Sequence, residues 1–455
     1  MQRALLQDLN NWLQASDRKP LILRGARQVG KTWLVRFFAQ NTGKKLIELN
    51  FEKTPAFVSL FDSNEPRQIL LNLGAALGQE IQAEHCLLFL DEIQVVPELL
   101  SKLRWFAEEY PQLPIVTAGS LLEFVLAEHS FSMPVGRINY MHLEPLSFEE
   151  FVLAQDKKTL YDYLQSYDFS AEIPEFIHAQ LINLFKEYLF VGGLPAAVMS
   201  WKTERSLQKM HQIQSDLLAT YRDDFNKYRG RIALERLQEL MHAIPTMLGQ
   251  KFISSRVNAA VQSNTIKQVL DLLEKARLCH RVRSCAANGV PLASEIKEKY
   301  FKLIFLDVGL CSTELGLGWS QIQSMQQLTL INSGGLTEQV VGQLLRTIEP
   351  AYIEPALYCW QRDERGSNAE IDYVLQHANQ VIPIEVKAGS TGSLKSLHLF
   401  MGLKKYPLAV RINSDFPSRC QVDVKDHLGK AIQYQLLSIP LYLTEQIHRL
   451  IDLCQ

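Results

Sequence analysis

The run GARQVGKT, Gly25 to Thr32, constrains this chain more than any other segment. It fits G-x-x-x-x-G-K-[ST] and stands between the apolar run LILR (21–24) and a helical pattern that starts at Lys31. Glycines at those two places let the backbone curl until successive N–H groups face one point at a helix N-terminus, a cradle for phosphate. Gly25, Ala26, Arg27, Gln28, Val29 and Gly30 would form the cradle. Lys31 would reach the β- and γ-phosphates of a nucleotide, and Thr32 would ligate magnesium. A glycine turn that merely precedes a helix is the alternative, and the correct flanks count against it.

A strand–loop–helix of this kind belongs in a parallel sheet with helices on both faces. The first 145 residues supply one: LILR, KKLIELNF (44–51), CLLFLD (86–91) and PIVTA (114–118) alternate with helical patterns, and RINYMHL (137–143) could close the sheet as a fifth strand. The third strand ends in Asp91-Glu92, where such sheets bind ligands. Asp91 would hold the magnesium and Glu92 would orient or deprotonate an attacking water. An acidic pair that caps a helix is the plain alternative. TAGS follows the fourth strand, so Ser120 is either a γ-phosphate contact or the N-cap of the helix SLLEFVL. Arg137 would complete a nucleotide site in cis or from a neighbouring subunit, or it is a solvated arginine at a strand start.

Beyond residue 147 the pattern turns helical, broken by VGGLPAAV (191–198). Residues 230–302 read as three helices and two short strands, the order of a winged helix. This region is basic: residues 222–302 hold fifteen Lys or Arg against eight Asp or Glu, whereas the whole chain carries a net charge of -2. The remainder must therefore be acidic, and a uniformly basic surface is excluded. SNTIKQVLDLLEKA (263–276) is the candidate recognition helix, capped by Ser263, with Asn264, Thr265, Lys267 and Gln268 in its first turns and Arg281 and Arg283 on the hairpin behind it. These would contact DNA. A solvated helical face, or a winged helix that binds protein, fits the same residues.

The ordered series GARQVGKT, LDEIQ, TAGS, GRI…LEPLSFEEF, VGGLPAAV, KLIFLDVGL (302–310), LTEQVVGQLL (336–345) and IEVKAG (384–389) resembles a family of prokaryotic AAA-type P-loop ATPases. Members carry a C-terminal domain of unknown function, DUF4143. The resemblance spans essentially the whole chain. One departure is AGS where the family usually shows GSS, which keeps Ser120. It implies ATP as the nucleotide, a winged-helix middle, a restriction-endonuclease-like C-terminal fold and, by analogy with AAA-type proteins, homo-oligomers. The expected fold is α/β: an AAA-type parallel core (1–146), a helical lid (147–228), a winged helix (229–302) and a restriction-endonuclease-like domain (303–455).

That last domain has its own pattern. Asp372 and Glu385-Val386-Lys387 fit D-x(n)-[DE]-x-K. Two antiparallel strands joined by the turn HANQ would bring Asp372 and Glu385 together, and strand alternation puts residues 385 and 387 on one face. The carboxylates would bind magnesium and Lys387 would act on a water, with Glu338 as a further carboxylate that the resemblance also suggests. A surface ion pair between Glu385 and Lys387 is the alternative, and such folds also persist as inactive binding modules.

Seven scattered cysteines without a CxxC pair read as reduced thiols, and no apolar run approaches the ~20 residues of a membrane span. The expectation is a cytoplasmic protein with no membrane partner. Three functions remain: an ATPase that engages DNA, an ATP-dependent switch with an inert nuclease-like domain and a protein partner, and a non-hydrolysing nucleotide sensor. Asp91-Glu92 argues against the third.

Overall fold

A computed structural model describes the chain except residues 121, 123–132, 225–232, 324–332, 363–368, 389–392, 426–428 and 455. Most of the helix expected at SLLEFVL, and the 228/229 division, lie outside the described residues. Helix α1 (Leu5–Gln14) precedes β1 (Leu21–Arg24), α2 (Lys31–Thr42), β2 (Lys45–Asn50), α3 (Pro66–Leu77), β3 (Cys86–Asp91), α4 (Leu99–Glu109), β4 (Ile115–Ala118) and β5 (Asn139–His142). The five strands form one sheet in the order β2-β3-β4-β1-β5, every pair parallel. β3 is buried along its whole length, which is why its sequence is a continuous apolar run instead of an alternation.

The helical stretch comprises α5 (Phe148–Ala154), α6 (Lys158–Ser166), α7 (Glu175–Val191), α8 (Pro195–Glu204) and α9 (Leu207–Asp224). Ser147 and Glu150 close a capping box at the start of α5. Glu150 also pairs with the buried Arg3 at 3.1 Å, and Arg3 donates to the Val29 carbonyl at 3.0 Å, so the chain's first residues back the glycine loop.

Three helices follow, α10 (Leu234–Thr246), α11 (Ser254–Val257) and α12 (Ser263–Lys275), then β6 (Cys279–Cys285) and β7 (Ile296–Phe305). The order is the one the sequence suggests, but the hairpin is not a free wing. β6 pairs antiparallel with β7 and also parallel with β8 (Leu357–Gln361), so both strands belong to an eight-stranded sheet. The rest of that sheet is β9 (Glu370–His377), β10 (Gln380–Val386), β11 (Leu408–Asn413), β12 (Ser418–Lys425) and β13 (Ala431–Pro440), in the order β12-β13-β11-β10-β9-β8-β6-β7. The helices of this half are α13 (Val308–Glu314), α14 (Trp319–Gln323), α15 (Ser333–Leu345), α16 (Lys395–Lys404) and α17 (Ile447–Asp452).

The expected 302/303 division falls inside β7. Packing runs through it as well: one cluster of buried residues extends from Leu5 through Tyr188 and Leu240 to Ile451. A buried aspartate ties the halves together. Asp307 caps α13 by accepting from Gly309 and Leu310, and its other oxygen accepts from the Gly193 amide at 2.6 Å. Gly192 must be glycine, because its φ is +78° and a Cβ there would lie 2.0 Å from Asp307 Oδ1. Among the described residues, no helix is long and apolar enough to cross a membrane.

Candidate functional site

The glycine loop stands at the carboxyl edge of the first sheet, between β1 and α2. Gly25 (φ +152°), Gln28 (φ +63°) and Gly30 (φ +96°) take the positive φ values that the curl requires. A Cβ on Gly25 would meet the Leu143 carbonyl oxygen at 2.3 Å, so the loop is pressed against the chain leaving β5. Lys31 is buried and donates to the carbonyls of Gly25 at 2.9 Å and Ala26 at 2.8 Å, which keeps its ammonium inside the loop. Arg27 pairs with Asp224, and its carbonyl accepts from Tyr221 at 2.9 Å, so the end of α9 holds the loop from the other side.

Thr32 Oγ1 lies 3.3 Å from both oxygens of Asp91, and Asn50 donates to Asp91 at 3.1 Å. Both partners are neutral. Burial, and then the neighbouring Glu92, push the Asp91 carboxyl up to about 6. A hydroxyl and a carboxylate crowded with negative charge suit a small hard cation, so the residues fit magnesium.

Glu92 follows with a left-handed backbone (φ +55°), which turns it out of the strand line. Its carboxylate accepts from Gln94 Nε2 at 2.5 Å and stands 3.5 Å from Ser120 Oγ at the tip of β4. The sheet order explains this meeting, since β4 lies between β1 and β3. Gln94 and Asn50 were not singled out in the sequence. The signals for them are weak: a polar residue two positions after the acidic pair, and one at the end of the neighbouring strand.

Beside Gly30, an apolar hollow of about 290 Å³ is lined by Met1, Arg3, Trp33, Pro195, Ala196 and Met199. Arg137 does not join the site. β5 runs parallel to β1 with Leu21 opposite Asn139 and Arg24 opposite His142, so Arg137 lies at the far edge of the sheet. Several residues at ~3.3 Å each separate it from its own glycine loop, which excludes a role in cis. It pairs instead with Glu108 at 2.8 Å.

The second constellation is assembled by the eight-stranded sheet. β9 and β10 are antiparallel and joined at His377–Gln380, as the pattern requires. At the other end of this pair, away from the turn, Asp372, Glu385 and Glu338 converge, but a lysine stands among them. Lys302, on β7 and 2% exposed, places Nζ 3.1 Å from Glu338, 3.3 Å from Asp372 and 3.4 Å from Glu370. Burial alone would lower its pKa, and Glu338, Asp372 and Glu370 together outweigh that and hold it well above the ordinary value. Asp372 also accepts from the Val386 amide at 2.8 Å, and Lys387 pairs with Glu385 at 2.6 Å. Burial and then Asp372 push Glu338 up to about 8 and Glu385 up to about 7.

The donors are the hard oxygens magnesium prefers, yet their arrangement does not fit it. Among the described residues, no group of three or more His, Cys, Asp or Glu is placed to hold a metal ion. The metal assignment of Glu338, Asp372 and Glu385 is therefore not what this arrangement supports. Lys302 was missed in the sequence, although a lysine inside the apolar strand YFKLIF is itself a signal, because a buried cation needs carboxylates.

On α12, Asn264, Lys267 and Gln268 are exposed and Thr265 is half-buried. Ser263 is not the cap: Gln262 holds that position, and the Ser263 hydroxyl shares a hydrogen bond with Ser254 at 2.8 Å. Arg281 is taken up by Asp271 at 2.6 Å and Glu274 at 3.0 Å, and lies over the Phe301 ring. Arg283 lines a hollow with Lys275, Arg277 and Arg346.

Comparison with known proteins gives three matches along the chain. An AAA domain matches residues 17–152, and a domain of unknown function, DUF4143, matches 333–423. Another domain of unknown function, DUF8612, matches 182–321 and runs across the expected divisions in the middle of the chain. No curated protein matches. Solved structures similar to it include C. elegans PCH-2 (13% identity, 44% of this chain and 62% of that one, TM-score 0.26). The Thermotoga maritima RuvB Holliday junction branch migration motor is another (17% identity, 62% of this chain and 90% of that one, TM-score 0.29). The chain thus spans under two thirds of PCH-2, and at these scores neither likeness bears on function. The chain therefore carries an AAA domain followed by DUF4143, the order of parts in the family its sequence resembles.

Proposed function

We propose that the chain binds ATP with magnesium at the glycine loop, hydrolyses it, and uses the cycle to engage DNA through the outward face of α12. The observation that carries the hydrolytic reading is the meeting of Thr32 with Asp91 at 3.3 Å, beside Glu92 at the carboxyl edge of the sheet. In this reading the loop amides hold the phosphates, and Lys31 exchanges its carbonyl partners for phosphate oxygens. Thr32 and Asp91 would hold magnesium, which when bound screens the charge on the phosphates. The hollow beside Gly30 takes the base. Glu92, freed from Gln94, orients a water and accepts its proton as the water oxygen bonds to the γ-phosphorus and the bond to the bridging oxygen breaks, leaving ADP and phosphate. Ser120 donates toward the γ-phosphate. If Arg137 acts on a nucleotide at all, it acts on that of a neighbouring copy, so homo-oligomers belong to the proposal.

DNA engagement rests on the exposed Asn264, Lys267 and Gln268, with Thr265 beside them. A second reading, an ATP-driven switch whose partner is a protein, is favoured by the pairing of Arg281 and by the hairpin's place in the sheet. Cleavage of nucleic acid by Asp372, Glu385 and Lys387 is the further step that DNA engagement would permit, and the Lys302 ammonium among those carboxylates stands against it. The test is ATP turnover with and without duplex and single-stranded DNA at low and moderate salt. Stimulation that weakens as salt rises supports DNA as the partner. Turnover indifferent to DNA transfers the role to a protein, and no turnover with magnesium-ATP overturns the hydrolytic reading.

A further inference from the structure

The C-terminal carboxylates sit where a metal would be expected, and a side chain of the same molecule occupies their midst. Tyr300, Lys302 and Ile304 alternate onto one face of β7, and that face packs against α15. Gly342 lets α15 approach closely, since a Cβ there would meet Tyr373 Oη at 2.4 Å and Ile304 Cγ2 at 3.2 Å. The Lys302 ammonium is thereby driven into a space bounded by Glu338 on α15 and by Glu370 and Asp372 on β9.

Its three contacts, at 3.1, 3.4 and 3.3 Å, are ammonium–carboxylate separations. Magnesium or calcium holds its oxygens at about 2.0–2.6 Å, so the carboxylates would have to close in after the ammonium had left. Expelling it is costly, because a buried lysine without its partners is an uncompensated charge. The remaining valences are also engaged. One Asp372 oxygen accepts from Val386, and one Glu385 oxygen holds Lys387, whereas Glu385 Oε2 is buried and has no hydrogen-bond partner.

We propose that Lys302 is the resident cation of this cluster, holding the place of a divalent metal, so that the DUF4143 domain takes up no metal unless the lysine is removed. Replacing it by an apolar residue of similar length leaves four carboxylates, Glu338, Glu370, Asp372 and Glu385, with Lys387 paired to the last of them. The unpartnered Glu385 oxygen then becomes available as a ligand. The inference is independent of the nucleotide reading, because metal uptake here is counted without ATP.

The experiment is manganese binding, followed by electron paramagnetic resonance, to the full chain carrying Asp91→Asn to silence the first site. With Lys302 present, no manganese should bind that a further Asp372→Asn change removes. With Lys302→Met, one manganese per chain should bind about 100-fold more tightly, and Asp372→Asn should abolish it. Stoichiometric, Asp372-dependent manganese in the Lys302 protein overturns the proposal, and so does a folded Lys302→Met protein that gains none. If Lys302→Met fails to fold, as its melting curve would show, the Lys302 protein alone decides.

Discussion

Two groups of carboxylates stand at sheet ends in this molecule, and each has a lysine at hand. At the nucleotide site Lys31 is turned onto the carbonyls of its own loop, and Asp91 is left with a hydroxyl and an amide. At the C-terminal site Lys302 and Lys387 lie directly on Glu338, Asp372 and Glu385. The residue types are nearly the same, and the chemistry is opposite. Carboxylates with neutral hydrogen-bond donors keep their charge for a cation from outside, whereas carboxylates paired within the fold are spent on it. Counting acidic and basic residues in a motif does not distinguish the two; the partner of each lysine does.

The largest effect that would sharpen this contrast is loss of the reserved lysine. Lys31→Ala should weaken nucleotide binding by about 100-fold, read by titration with a fluorescent ATP analogue, because it removes a charged donor from a buried phosphate site. Near-native affinity would place the phosphates elsewhere.

Next comes the pH dependence of Asp91. Its carboxyl is raised from 3.8 to about 6, so between these values the folded chain retains a proton that the unfolded chain has released. Asp91 therefore contributes stability fully below about 4, and that contribution is lost as pH rises through about 6. Asp91→Asn should stabilise the nucleotide-free protein at pH 8 by roughly 1–2 kcal/mol in a denaturant melt while abolishing magnesium-dependent turnover. Magnesium competes with the Asp91 proton, so the magnesium concentration needed for half-maximal turnover should rise as pH drops below about 6.

The link between the two halves is broken by Gly192→Ala. The new methyl group would collide with Asp307 at a positive φ, and a loss of roughly 3 kcal/mol is expected from chemical denaturation. A change below about 0.5 kcal/mol would show that this contact does not hold the halves. The smallest effect belongs to Lys267→Ala, which should reduce the salt slope of DNA binding by about one and leave ATP turnover in the absence of DNA unchanged.

The first site was legible in the sequence because its parts are local. A glycine loop, a lysine and a threonine are contiguous, and the acidic pair ends an apolar strand whose direction is fixed by the parallel sheet. What stayed hidden depends on contacts between distant segments. Lys302 meets Asp372 across 70 residues, where α15 packs against both β7 and β10. Arg137 is three residues from β5's middle in sequence, yet the direction of that strand carries it to the wrong edge for its own nucleotide. The hairpin looked like a wing because helix order is local, and its pairing with β8, more than seventy residues on, is not. Arg281 also differs: its place on the hairpin suggested a DNA contact, whereas Asp271 and Glu274 on the preceding helix neutralise it.

The contrast between the two sites is tested most directly by magnesium-dependent ATP turnover of Glu92→Gln and Asp372→Asn, measured beside the wild type. Glu92→Gln should keep nucleotide binding and lose turnover by about 100-fold or more, as expected for removal of the group that orients and deprotonates water. Asp372→Asn should stay within about twofold of wild type, because its carboxylate is engaged by Lys302 and Val386 and takes no part in the hydrolysis. Wild-type turnover from Glu92→Gln, or its collapse in a folded Asp372→Asn protein, would contradict the account.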